Sequence, residues 1–132
     1  MKRIAILASG EGTNAENIIR YFSERKTAKV VVVITNKAQA GVLNRADKLG
    51  IPTEFIPAQD FTEGRALEVL HRYQTDFIAL AGFLLRVPDD ILHDYPNKIV
   101  NIHPALLPKF GGKGMYGNRV HEAVIAAAEK ES

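Results

Sequence analysis

Five strand-like stretches, most of them short and apolar, alternate with helical patterns along the chain, and that alternation limits the fold more than any other feature. Residues 4–8 are a continuous apolar run closed by Ser9-Gly10, the pattern of a strand covered on both faces. Residues 29–35 carry the β-branched block Val30-Val31-Val32-Val33-Ile34 and predict a second strand. Residues 52–56, 77–81 and 98–102 predict a third, fourth and fifth. Between them, residues 14–24 place Ala15, Ile18, Ile19 and Phe22 on one helical stripe. Residues 41–49 form a helical stretch stopped by Gly50, and residues 63–73 one whose inner face is Leu67, Leu70 and Tyr73. Residues 89–94 predict a short helix, and residues 120–130 an amphipathic final one. Such alternation predicts an α/β fold, a doubly wound, mainly parallel Rossmann-like sheet in a single domain over residues 1–132.

Composition narrows the partners. A net charge of +2, with no Lys/Arg block interleaved with aromatics, argues against nucleic acid. The chain has no cysteine, hence neither a disulfide framework nor a thiolate nucleophile, which is compatible with the cytoplasm. Met1-Lys2-Arg3 before residues 4–8 resembles the start of a signal peptide, but the apolar run is shorter than the roughly 7–15 residues such a segment needs. Nothing approaches the ~20 apolar residues of a membrane span. The expectation is a cytoplasmic protein without a membrane partner.

Ligands of doubly wound sheets bind beyond the carboxyl ends of the strands, which gathers residues 9–14, 82–88 and 101–117 around one cleft. Ser9-Gly10-Glu11-Gly12-Thr13-Asn14 follows a strand and opens a helix, so free N–H groups and the helix dipole favour a phosphate there. With Ala15 it also fits the G-x-G-x-x-A dinucleotide pattern. The acid expected about 20 residues on is absent, while Lys37 could face a 2′-phosphate, so an NADP-binding oxidoreductase is a rival. A glycine turn needed only for tight packing is the plainer alternative.

Asn101 and His103 lie two residues apart as the fifth strand ends, on one side of it, and Pro104 stops the ladder. A neutral donor beside a titratable imidazole suits a carbonyl whose oxygen gains charge; two locally satisfied polar groups at a capped strand end are the alternative. Phe83-Leu84-Leu85-Arg86-Val87-Pro88 is an apolar wall with one cation, suited to a flat aromatic ligand or to packing the sheet edge. His71, His93 and His121 read as surface or capping residues, and no histidine has metal-ligand spacing. Gly111-Gly112-Lys113-Gly114 lacks Walker spacing and reads as a loop over the cleft.

Three of these pieces, residues 9–14, Leu80-Ala81-Gly82-Phe83-Leu84-Leu85-Arg86 and Asn101-Ile102-His103-Pro104-Ala105-Leu106-Leu107-Pro108, together resemble the phosphoribosylglycinamide formyltransferase family, in order and separation. The resemblance runs from residue 2 to the end; the Asn-x-His-Pro piece alone also resembles methionyl-tRNA formyltransferase and formyltetrahydrofolate deformylase. It implies formyl transfer from 10-formyltetrahydrofolate, as cosubstrate, to the amine of glycinamide ribonucleotide in purine biosynthesis, without a metal. Gly12, Thr13 and Asn14 match the family's substrate phosphate loop. Leu84, Leu85, Arg86 and Val87, with Asn101, match its folate-binding residues, although Arg86 is more polar than that pattern. Asn101 and His103 match the catalytic pair: Asn101 donates to the oxygen that gains charge, and His103, as imidazolium, stabilises it and moves a proton to the departing folate nitrogen. Arg65 lies near a folate-contacting arginine, with its loop offset by one residue.

The partners implied are small molecules, and a homodimer is compatible with the resemblance. Family sequences continue past the helix at 120–130 into Gly-x-Thr-x-His and a catalytic Asp-x-Gly. Neither motif occurs in the 132 residues, and Asp89, Asp90 and Asp94 do not match that acid. The expectation is therefore the amino-terminal, nucleotide-binding part of the family fold, with weak phosphate binding and formyl transfer near background. A non-catalytic nucleotide-binding module is the other alternative. Gly12→Val is expected to weaken ribonucleotide binding while folate binding is kept.

Overall fold

A computed structural model describes residues 2–25 and 28–102. The elements are β1 (Lys2–Leu7), α1 (Thr13–Arg25), β2 (Ala28–Thr35), α2 (Gly41–Lys48), β3 (Thr53–Phe55), α3 (Ala58–Thr62), α4 (Arg65–Arg72), β4 (Phe77–Ala81), α5 (Asp89–Asp94) and β5 (Ile99–Ile102). His103, His121, Lys113, the 111–114 loop and the helix at 120–130 lie outside the described residues.

The five strands form one parallel sheet in the order β3-β2-β1-β4-β5. Two apolar layers hold the helices to it. On one face Ile4, Ile6, Ala8, Val30, Val33, Phe77 and Ala79 pack against Ala15, Ile18, Ile19 and Phe22 of α1 and Val42 and Ala46 of α2. On the other, Ala5, Leu7, Val31, Val32, Ile34 and Ile78 meet Phe61, Ala66, Val69, Leu70 and Ile91 of α3, α4 and α5. With helices on both faces, the inner strands β1, β2 and β4 are largely buried and read as near-continuous apolar runs, whereas the edge strand β3, Thr53-Glu54-Phe55, is partly exposed and polar.

The block Val30–Ile34 does not alternate strictly. A β-bulge shifts the register between Ile4 and Ala5, so that Ile4 faces Val30 and Ala5 faces Val32. Val30 and Val33 therefore share a layer, and Val31 and Val32 share the other.

The stripe expected for α1 is the buried one. The stretch at 63–73 differs. Its helix starts later than expected, because Gly64, at φ +90, separates α4 from the short α3 that ends at Thr62. The buried face of α4 is Ala66, Val69 and Leu70, with Leu67 and Tyr73 only partly covered, so the inner face is rotated from the one expected.

Tyr95 is buried in the second layer and its hydroxyl donates to the Thr75 carbonyl at 3.1 Å. Burial, then Asp94 and Asp76, push its pKa up to about 12. The neutral phenol is thus favoured in the fold, and its stabilising contribution is complete below the unfolded value of about 10 and lost as pH rises towards 12. Urea unfolding midpoints are expected to fall across that window and Tyr95→Phe to remove most of the fall. Tyr73, raised by burial and by Glu54, supplies the remainder.

Candidate functional site

The strand order reverses between β1 and β4, and the segments that leave their carboxyl ends open a crevice there. Ser9 ends the buried run of β1, and α1 begins four residues later at Thr13. The Glu16 N–H closes the first helical turn on the Gly12 carbonyl at 2.8 Å. The N–H groups of Thr13, Asn14 and Ala15 precede that turn, so helix geometry gives them no intrahelical acceptor and the macrodipole adds partial positive charge. Thr13 is exposed and Asn14 half-buried, so both are reachable by a small anion.

Gly12 adopts φ +85, and a Cβ built on it would lie 2.6 Å from the Val42 Cα, Cβ and Cγ2. The glycine is thus required by α2 packing behind the loop. Two further hydrogen bonds hold the loop from the same side. The Val42 N–H donates to the Gly10 carbonyl at 3.1 Å, and Arg45 Nε to the Glu11 carbonyl at 2.7 Å. A Cβ on Gly41 would come within 2.8 Å of Glu11 Oε2. Arg45 also meets Glu16 Oε1 at 2.8 Å, while Arg20 holds Oε2 at 2.9 Å. These two guanidiniums, Arg45 foremost, keep the Glu16 carboxyl below the usual carboxylate range. A carboxylate in the first turn would otherwise repel an anion at the helix start; here its charge is matched twice over.

The opposite wall follows β4. Gly82, at φ +71, turns the chain. Leu84 is 73% exposed, whereas Phe83 and Leu85 pack partly onto the second apolar layer and Val87 lies within it. Arg86 points outward to Asp89, Nη2 to Oδ1 at 3.1 Å, both side chains 83% exposed. A groove of about 500 Å³ runs between Thr62–Gly64 and Arg86–Asp90. Arg65 opens α4 beside it, exposed. On the far side of β4, β5 sets Asn101 opposite Leu80, with its side chain exposed.

The structure thus brings Gly12, Thr13 and Asn14 to one side of the crevice and Leu84, Leu85 and Arg86 to the other, with Asn101 one strand further on. Lys37 is exposed after β2, its N–H on Thr35 Oγ1 at 3.2 Å. His71 is paired with Asp94, and among the described residues no three metal-ligating side chains cluster. No helix among them is long and apolar enough to cross a membrane. Asn36, Gly41, Val42 and Arg45 support the site without having been foreseen. The bonds of Asn36 to Ser9, Val42 to Gly10 and Arg45 to Glu11, and the close packing of Gly41 on Glu11, connect residues far apart in sequence, so no local pattern marks them.

Fold and crevice define a class: a doubly wound α/β protein with a helix-terminus cradle and an apolar lip at its topological switch point. Sequence comparison gives the family. The sequence model of the family described as formyl transferase matches residues 2–132, and the chain belongs to that family. The chain is similar to the chloroplastic phosphoribosylglycinamide formyltransferase of Arabidopsis thaliana, at 37% identity over 99% of this chain and 47% of that protein. It is 35% identical to the Bacillus subtilis phosphoribosylglycinamide formyltransferase, over 96% of this chain and 68% of the relative. The crystal structure of the Anaplasma phagocytophilum phosphoribosylglycinamide formyltransferase superposes with a TM-score of 0.73 at 36% identity, covering 83% of this chain and 53% of that one. The chain therefore spans about half the length of the Arabidopsis relative. The NADP rival is not favoured by these relatives.

Proposed function

We propose that these residues form the nucleotide-binding part of a phosphoribosylglycinamide formyltransferase, which transfers the formyl group of 10-formyltetrahydrofolate to the amine of glycinamide ribonucleotide. The observation that carries this reading is the pairing of an anion cradle with an apolar lip across the β1–β4 switch point, in a chain matched by the formyl transferase family from residue 2 onward. The ribonucleotide phosphate sits on the N–H groups of Thr13 and Asn14 at the start of α1. Leu84 and Leu85 receive the flat pterin of the folate, and the exposure of Leu84 leaves apolar surface for it to cover. The formyl folate supplies the one-carbon group at the oxidation level of the product, so no redox partner is needed.

Asn101 leaves β5 beside this lip, and its carboxamide donates to the formyl oxygen as the attacking amine pushes charge onto it. His103, two residues on in the sequence, stabilises that oxygen and passes a proton to the departing folate nitrogen. The family's partner carboxylate for this histidine lies in its Asp-x-Gly segment, which Asp89, Asp90 and Asp94 do not match. A non-catalytic nucleotide-binding module built on the same cradle is the second reading.

Calorimetric titration of residues 1–132 separates these readings from the NADP rival. Saturable binding of glycinamide ribonucleotide, competed by inorganic phosphate, is expected. Micromolar NADPH binding abolished by Lys37→Glu would instead overturn the assignment. Single-turnover transfer, beside a chain extended through an Asp-x-Gly segment, then distinguishes enzyme from module. Comparable rates for the two chains would remove the carboxylate from the account of His103.

A further inference from the structure

The nucleotide loop and the apolar lip share one buried side chain. Ser9 is 3% exposed, and its N–H donates to the Gly82 carbonyl at 3.3 Å. In a parallel ladder the next rung would run from the Leu84 N–H to the carbonyl of Ser9. Here the Leu84 N–H donates to Ser9 Oγ instead, at 2.9 Å. The hydroxyl thus extends the β1–β4 pairing by one rung after the β1 backbone has turned away towards Gly10. Its own proton is used in the other direction: Ser9 Oγ donates to Asn36 Oδ1 at 2.6 Å, just past the end of β2. One hydroxyl, as acceptor and donor, therefore ties together the carboxyl ends of β1, β2 and β4.

We propose that Ser9 is a positioning residue that holds the phosphate cradle and the Leu84 lip in one frame, so that a ligand seated on either side of the crevice fixes the other. The inference rests on the formyltransferase reading for the identity of the ligands, not for the linkage itself. A buried hydroxyl that both donates and accepts is costly to disturb, and its removal takes away the acceptor of the Leu84 amide. Leu84 is the residue at which both effects converge.

Hydrogen exchange on residues 1–132 tests this. Ser9→Ala is expected to speed exchange of the Leu84 amide about tenfold, while Ile6 and Val33, deep in the sheet, keep wild-type protection. Asn36→Ala leaves the serine in place and does not touch Leu84, yet it is expected to speed the same amide about threefold by freeing the hydroxyl to rotate. Adding glycinamide ribonucleotide should slow Leu84 exchange in the wild type and not in Ser9→Ala. If Ser9→Ala loses protection throughout, Asn36→Ala decides alone. Unchanged Leu84 exchange in Asn36→Ala, or equal slowing by the ribonucleotide in wild type and Ser9→Ala, overturns the proposal. A wild type that does not bind the ribonucleotide counts against the formyltransferase reading, and the exchange rates without ligand then decide the role of Ser9.

Discussion

Replacing Gly12 with valine is expected to destabilise the whole domain by about 2–6 kcal/mol, summing roughly 1–3 for a side chain at positive φ and roughly 1–3 for overpacking. The second contribution arises because the new Cβ would fall 2.6 Å from the Val42 backbone, which cannot swing aside as the tip of a long side chain could. Set against the 5–15 kcal/mol typical of a domain, a loss of this size lowers the urea midpoint markedly. The sequence alone suggested a selective loss of ribonucleotide binding. The packing of the loop on α2 instead makes a general loss, affecting both ligands, the expected outcome. Gly12→Ala discriminates sharply, since the clash begins at Cβ: alanine should cost most of what valine costs. A harmless alanine beside a damaging valine would show that the loop can move off α2, and that Gly12 faces the ligand after all.

Asn101→Ala, made in a chain competent for transfer, is expected to lower turnover on the order of 10²–10³, the usual consequence of removing one preorganised donor to a developing oxyanion. Affinities for the ribonucleotide and the folate should change far less, because the donor acts mainly on charge that appears during reaction. Single-turnover transfer gives the first quantity, and calorimetry with each ligand gives the second. Intact turnover with collapsed binding would reassign Asn101 to ligand capture.

What the sequence made legible followed from periodicity. Ala15, Ile18, Ile19 and Phe22 are the buried face of α1 because a 13-residue helix is long enough for its stripe to repeat. Strands β1, β2 and β4 were visible because burial on both faces removes most polar residues from them. Helix α3 was missed for the opposite reason: five residues, of which only Phe61 is buried, carry no period. The rotated face of α4 came from the same break, since the left-handed Gly64 resets the helical phase. The crevice was legible from topology, but its bracing was not. Ser9 and Asn36 are 27 residues apart and Ser9 and Leu84 are 75 apart, so no local pattern records their bonds. Arg45 likewise meets Glu11 and Glu16, 34 and 29 residues away, and no local pattern records those bonds either.

The place of β1 at the centre of the sheet sets a timetable for the nascent chain. The first strand made lies between β2, which follows within about thirty residues, and β4, whose paired residues Phe77–Leu80 are more than seventy further on. Until they leave the ribosome, Ala5, Leu7, Val31, Val32 and Ile34 have one apolar face without α3, α4 or α5 to cover it. The clasp at its start, where the Arg3 N–H meets Asp76 Oδ2 at 2.9 Å and the Asp76 N–H meets the Arg3 carbonyl at 2.8 Å, also waits for that arrival. Pairing at such separation is slow and leaves adhesive surface bare in the meantime. At synthesis rates of roughly 5–20 residues per second, the exposed interval lasts several seconds, long enough for a chaperone to hold the half-built sheet.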